Sequence, residues 1–494
     1  MNKQRNSEFN PERAQSFINN FWEEEIISSL STYIEIPNKS PSFDENWIEN
    51  GFMSEATNHM LDWVRSQNIE GLEIELHELE GKTPTIFLSH PGDIKETILI
   101  YGHLDKQPEF EGWIDGLEPW KAIRRDDKLY GRGGADDGYA IYSAIAIIKT
   151  LLDQNLPMPR IVVLIEASEE SGSPDLPFYM EALSEKIGEP GLVIALDSTC
   201  GNYDQLWITT SLRGMLIGEL KVQVLEQGAH SGAAGGIVGS SFRILRQLLS
   251  RIEDEHSGAI LPSFLNEQVP DSRRSQAIEA GKVLDKDFNS MYTFTANSGP
   301  VSEDATELVL NNTWQATMEI TGMEGIPSLK DAGNVLRPYT TAKFALRLPP
   351  TTNAVNAKKE LAELLIKDSP YGTAVSFEQD AAAPGWHAPE TLPSLEASFQ
   401  EASDLFFGAP AISMGCGGSI PFMEFLANKL PRAQFMVTGV LGPHSNAHGP
   451  NEFLHIPTVK KLTACVTKVV WDWGQKKGSN PDTDQRANTA KDLK

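Results

Sequence analysis

Three apolar segments, TILIYG (97–102), RIVVLIE (160–166) and LVIAL (192–196), alternate with helical signals, and each runs straight into ionisable residues. Short apolar runs of this kind read as strands buried on both faces, the condition of a parallel sheet. Their alternation with helices restricts this part of the chain to an α/β layer. Between the first two lies GYAIYSAIAIIKTLL (138–152), apolar nearly all round, as a helix in the core must be. Helical patterns also cover 11–35 and 54–67. After Pro384, a helix near 394–407, the strand AQFMVTGV (433–440) and a last helix near 457–473 resume the same texture.

From Ser211 the texture differs. Alternating strands GELKVQVL (218–225) and TAKFALRL (341–348) accompany amphipathic helices at 240–254 and 354–368, an α+β pattern that interrupts the first style. With 494 residues, 40% of them hydrophobic, the chain exceeds the roughly 250–300 residues one core can serve. The expected fold is therefore α/β: a mixed, largely parallel sheet flanked by helices, carrying an inserted α+β sandwich. The boundaries fall at 1–210 and 385–474 for the first domain and 211–384 for the insertion. The polar stretch 475–494 reads as a disordered tail.

The chain carries 42 basic and 68 acidic residues, a net charge of -26, which argues against a nucleic-acid partner. No apolar run reaches the roughly 18 residues of a membrane span, and the first residues, MNKQRNSEFN, hold no apolar core of a signal peptide. No membrane association is expected, and the location expected is cytoplasmic. Cys200, Cys416 and Cys465 stand far apart with no CxxC, as suits a reducing compartment.

The ionisable residues at the strand ends form the chemically informative set. YGHLD gives His103 and Asp105, GRGGADDG gives Asp136 and Asp137, EASEES gives Glu169 and Glu170, and ALDS gives Asp197. In open α/β sheets the carboxyl ends of the strands line the ligand crevice, so these groups should converge. Carboxylates a few ångströms apart must protonate or find a cation, and a histidine among them favours a transition metal. Asp105, two residues after His103 on extended chain, can accept the second ring N–H of a metal-bound imidazole. A further histidine is expected, and GPHSNAHGPNEF offers both His444 and His448. Spacing does not choose between them.

In this order, GHLD, GRGGADD, EASEES, ALDS, GAHSG, GGSIP and NAHGPNE resemble the signature blocks of the M20 family of dimetal peptidases, and within it the carnosinase-like, cytosolic nonspecific dipeptidase branch. The resemblance implies that Asp136 bridges two divalent metal ions, zinc or manganese. His103 and Asp197 would complete one site and Glu170 and His448 the other, His448 being the histidine that precedes the Asn451-Glu452 pair. Glu169 would be the general base, taking a proton from a water between the metals and passing it to the leaving amine. The insertion would be a lid and dimerisation domain of a homodimer. Its His230, in GAHSG, would stabilise the oxyanion, and in dimeric members this histidine reaches the other subunit's site. Arg347 would grip the substrate's C-terminal carboxylate, with Asn334, Gly418 and Ser419 nearby. The implied substrate is a dipeptide or similar small peptide; an N-acyl amino acid deacylase or carboxypeptidase is the alternative, and a catalytically silent binding homologue a remote one.

The sequence departs from the common family wording after the aspartates of ADDGYA, where Gly138-Tyr139 replace Lys-Gly, at Gly415-Cys416 and at Gly449, none of them an implied ligand. Other readings fit less well. GRGGADDG lacks the Gly-Lys-Ser/Thr of a phosphate loop. Adjacent glutamates poorly flank a glycosidic bond at the roughly 5 Å or more that a glycosidase needs. The remaining histidines, His59, His77, His90, His256, His387 and His455, read as structural or surface residues.

Overall fold

The computed structural model describes residues 5–477. Two compact units divide the chain. One is built from the residues up to Thr209, Ala388–Ser413 and those from Phe425 onward; the other comprises Thr210–His387 and Met414–Glu424.

The first unit is organised by a mixed sheet whose strands run in the order Glu73–His77, Thr85–His90, Pro159–Glu166, Ile94–His103, Leu192–Ala195, Gln434–Val437 and Trp207–Leu212. The four central strands are parallel, as their apolar runs predicted, and the flanking ones are antiparallel. Ile98–Tyr101, Ile161–Ile165 and Leu192–Ala195 are buried throughout. Each such Ile, Leu or Val contributes about 1.5–3 kcal/mol of burial. The helix Tyr139–Asp153 presents apolar side chains on almost every face and packs against the long C-terminal helix Ile456–Lys477. That last helix extends beyond the predicted 473 and takes in 475–477, the start of the stretch read as a tail. The rest of that stretch, 478–494, lies outside the described residues. Residues 11–35 are helical as expected, with a π-helical segment Trp22–Ile26 between Pro11–Phe21 and Ile27–Glu35.

The second unit holds a four-stranded antiparallel sheet in the order Thr317–Glu324, Tyr339–Leu348, Gly214–Gln223 and Ala374–Ala383. Helices Ser241–Leu249 and Ala354–Ile366 cover it, burying Ile244, Leu245, Leu248, Leu361 and Leu365 against Leu216, Leu220 and Phe344. Their starts are readable in sequence, because the side chains of Ser240 and Asn353 accept the amides of Arg243 and Asn356. The first of these helices is shorter than the predicted 240–254; its chain turns at Ser250 and Glu253 bridges to Ile260. Among the described residues no helix is long and apolar enough to cross a membrane.

Candidate metal centre

Sheet register brings the strand-end residues together. In the parallel ladder His103 lies opposite Glu166, and Tyr101 lies opposite Ala195. Asp197, two residues past Ala195, therefore comes level with His103. Gly102 permits the close approach of the segment bearing Asp136 and Asp137: a Cβ there would stand 2.6 Å from Asp137 Oδ2 and 2.5 Å from the Ala140 side chain. Asp137 Oδ2 accepts the His103 amide at 3.2 Å.

Asp136 stands between two histidines. Its Oδ1 is 3.3 Å from His103 Nε2 and its Oδ2 is 3.1 Å from His448 Nε2. His448 Nε2 is also 3.3 Å from Glu170 Oε2, and His103 Nε2 is 3.8 Å from Asp197 Oδ2 and 4.0 Å from Glu169 Oε2. Ligand atoms of His103, Asp136 and Glu170 all lie within 4.8 Å of one another, as do those of His103, Glu169 and Asp197. All six sequence candidates of this group thus gather in the first unit, and of the two histidines in the 444–448 loop it is His448 that joins them. By distance Glu169, at 4.0 Å, is almost as near to His103 as Asp197 at 3.8 Å.

The strand bearing the glutamates ends at Glu166, and Glu169–Ser171 forms a 3-10 turn closed by Gly172 in the left-handed region at φ 84°. Asp105 is fully buried and accepts the amides of Glu169 and Glu170 at 3.1 and 3.0 Å. The sequence reading gave its carboxylate to the His103 ring. The carboxylate does face that ring, its Oδ1 standing 3.5 Å from His103 Nδ1, while the main-chain oxygen of Asp105 lies nearer, at 3.1 Å. The one carboxylate thus serves the two turn amides, which are otherwise orphan donors, as well as the imidazole.

The electrostatics are those of a site built around cations. Burial, and then the Asp197 charge, push Glu169 well above the usual carboxylate range. Burial raises Asp197 to about 7 and, with Asp136 beside it, raises Glu170. Burial opposes charge on His103, yet its bonds to Asp105 and Asp136 lift its pKa well above the usual value. His448 is raised to about 11: its partial burial is outweighed by Asp136 and Glu170. Glu170 Oε1 is buried without a hydrogen-bond partner among the described residues. An orphaned carboxylate oxygen beside mixed imidazole and carboxylate donors fits a divalent transition metal.

Gln107 was missed in the sequence. Its Nε2 donates to Glu170 Oε2 at 2.6 Å, and the signal was its place two residues after Asp105, continuing the His103/Asp105 alternation. Glu166 was missed as well. It is buried beneath the turn and accepts from Tyr101 at 2.5 Å, Ser173 at 2.8 Å and Ser168 at 3.2 Å.

The candidates of the second unit form two groups. His230, exposed, pairs with Val335 across a short two-stranded ladder, and the Ser231 amide donates to the Asn334 carbonyl at 2.9 Å, so His230 and Asn334 are neighbours. Arg347 Nη1 donates to Ser419 Oγ at 3.1 Å, and Ser419 Oγ donates to the main-chain oxygen of Arg213 at 2.6 Å. The buried Arg213 guanidinium, unnoticed in the sequence, donates to the carbonyl of Gly417, next to Gly418, at 3.1 Å. Burial, then the charge of Arg347, lower its pKa to about 10.

A model of the peptidase family M20/M25/M40 matches residues 99–472. Among characterised proteins the chain is similar to the cysteinylglycine-S-conjugate dipeptidase of Corynebacterium striatum, 25% identical over 428 residues that span 84% of this chain and 89% of that protein. It is 29% identical to the Beta-Ala-His dipeptidase of Homo sapiens over 301 residues, 57% of this chain and 56% of the relative. Among solved structures, that of the dipeptidase Dug1p from Saccharomyces cerevisiae aligns with a TM-score of 0.73 at 20% identity, covering 94% of this chain and 98% of that one. At that identity the likeness is one of fold.

Proposed function

The chain belongs to peptidase family M20/M25/M40, and on that premise we propose that it hydrolyses the amide bond of dipeptides, or similar small substrates with a free C-terminal carboxylate, at a centre of two divalent metal ions. The observation that carries this reading is Asp136, whose two carboxylate oxygens face two different histidines at 3.3 and 3.1 Å. His103 and Asp197 would hold one ion and Glu170 and His448 the other, with Asp136 shared. Zinc, or manganese, suits the mixed N and O donors. Bound there, the pair would supply a nucleophile from water at neutral pH and polarise the scissile carbonyl.

The chain's own groups do the rest. Glu169 takes the proton of the attacking water and delivers it to the leaving amine, a role worth about 10²–10⁴ in rate. Asp105 holds the turn on which Glu169 sits. His230 donates to the oxyanion as charge develops. Arg347, with Ser419 and the Gly418 main chain beside it and Asn334 near His230, receives the substrate's carboxylate, for which a planar guanidinium is suited.

The active species is a homodimer paired through the inserted unit. In support, the edge strand Thr317–Glu324 exposes Ile320 and Met323, each 44% accessible, and an open strand edge with apolar side chains is suited to cover by a second copy. A cytoplasmic location accords with three free cysteines.

Assaying a panel of dipeptides beside N-acetyl amino acids, with zinc or manganese supplied, tests the reading. Turnover of dipeptides is expected. Turnover of acyl amino acids alone would make the protein a deacylase, and no turnover with intact metal binding would make it a binding homologue.

A further inference from the structure

Two loops of the first unit that carry proposed ligands are joined by one buried ion pair. Residues 131–136 lead to the helix Tyr139–Asp153 and bear Asp136; residues 444–452 lead to the strand Phe453–His455 and bear His448. Arg132 is 1% exposed and Glu452 0%. Glu452 Oε2 accepts from Arg132 Nη1, Oε1 accepts the Gly133 amide at 2.9 Å, and the Glu452 main-chain oxygen accepts the Gly131 amide at 3.1 Å. Arg132 Nη2 then donates to the Gly449 carbonyl at 2.7 Å and Nε to the Pro108 carbonyl at 3.1 Å. One guanidinium therefore ties together the segments after Asp105, before Asp136 and after His448. Immediately beyond, Phe453 and Leu454 pair with Tyr130 and Leu129, so the two loops leave a common ladder.

A buried ion pair is a poor source of net stability, because desolvation offsets most of its attraction. This one spends its remaining hydrogen bonds on main-chain groups of both ligand loops. His448 itself sits in the left-handed region at φ 60°, a conformation a non-glycine residue keeps only when its surroundings impose it. The bond from Arg132 falls on the very next residue.

We propose that Arg132 and Glu452 are a positioning pair that fixes the separation of Asp136 from His448 and so preforms the second cation site, the one shared with Glu170. The inference rests on the two-metal reading above. It predicts that loss of the pair weakens the second site more than the first, because His448 serves only the second, Asp136 serves both, and His103 and Asp197 stand on separate strand ends that the pair does not touch.

Zinc titration of the full chain against a chromophoric chelator tests it, with dissociation constants read for each site. The unaltered protein should bind two ions. Glu452→Gln should bind the second about 10–100-fold more weakly with a clearly smaller loss at the first, and Arg132→Lys, which keeps the charge but not the fork, should fall between. Two ions bound at unaltered affinity in Glu452→Gln, with only the melting temperature lowered, would overturn the proposal. If Glu452→Gln does not fold, the double variant Arg132→Met/Glu452→Leu removes both charges together, and unaltered two-site binding there would overturn it equally. Failure of the unaltered protein to bind two ions would instead sink the two-metal reading.

Discussion

Asp105 Oδ2 accepts the amide N–H of Glu170 at 3.0 Å. Its Oδ1 accepts that of Glu169 at 3.1 Å, so one buried carboxylate fixes the origin of both glutamate side chains. From that common anchor Glu170 turns toward His448 and Gln107, and Glu169 toward His103. Two neighbours on a tight turn can then do different work, which neighbours on a strand, pointing to opposite faces, could not.

Asp105→Asn tests that anchor. Asparagine offers one acceptor oxygen and turns an NH₂ toward the other amide, so one of the two bonds is lost and a donor faces a donor. The expected outcome is a fall in kcat/KM of about 10–100-fold with weakened zinc binding. Unchanged kinetics and unchanged metal affinity would show that the turn holds its shape without the carboxylate.

Glu169→Gln separates base from ligand. Glutamine keeps the shape but cannot take a proton, so two zinc ions per chain should remain by elemental analysis while kcat falls about 10²–10⁴-fold. Glu170→Gln should instead lose one ion. The reverse pattern would exchange the two roles, an outcome worth testing because Glu169 Oε2 and Asp197 Oδ2 lie at 4.0 and 3.8 Å from the same imidazole nitrogen.

The parallel core and the gathering of His103, Asp136, Glu169, Glu170 and Asp197 were legible because long apolar strands fix register, and register fixes which strand-end residues meet. The strands Glu73–His77 and Thr85–His90 were missed although LEIELHE alternates apolar with polar residues, itself a strand signal; they pair antiparallel at the sheet margin and none of the candidate site residues follows them. Arg132 and Arg213 were also invisible. Each donates mainly to main-chain carbonyls of segments far away in sequence, which carry no residue signature, and the carboxylate that Arg132 pairs with lies 320 residues on. The choice of His448 over His444 came from family resemblance, because spacing on a loop with several left-handed residues does not predict where a side chain points.

A pH effect on stability is expected at Glu23. Arg124 donates to it through both terminal nitrogens at 2.6 and 3.1 Å, and Lys460 Nζ lies at 2.5 Å, joining the π-helical segment Trp22–Ile26 to the strand Ile123–Arg125 and the last helix. Chiefly through Arg124, its pKa is held down at about 2. A folded-state pKa below the unfolded value, about 4.3, means the stabilisation is fully present above that value and disappears as pH falls toward 2. The side chain is 40% exposed, so solvent screening limits the effect to about 0.5–1 kcal/mol. Glu23→Gln should therefore melt lower than the unaltered protein at pH 7, and the gap should close in thermal melts taken between pH 4 and pH 2. A gap that persists undiminished would mean that packing, not charge, accounts for it.

His230 lies on the exposed two-stranded ladder of the inserted unit, and on the proposed reading it donates to the oxyanion either of its own chain or of a partner. Loss of a donor to the oxyanion costs about 10²–10³ in kcat, so His230→Ala and Glu169→Gln should each be nearly inactive alone. Mixed and allowed to exchange subunits, they distinguish the two arrangements. If the partner subunit's His230 completes the site, half of the dimers are hybrids and each hybrid holds one intact centre, giving about one quarter of full activity. If each chain serves itself, every centre in the mixture lacks either the base or the histidine, and no activity returns. The expected outcome is recovery, because the inserted unit that carries His230 also carries the exposed edge strand through which two chains are proposed to pair. Recovery that tracks the rate of subunit exchange would establish both the dimer and the crossing of His230 in one measurement.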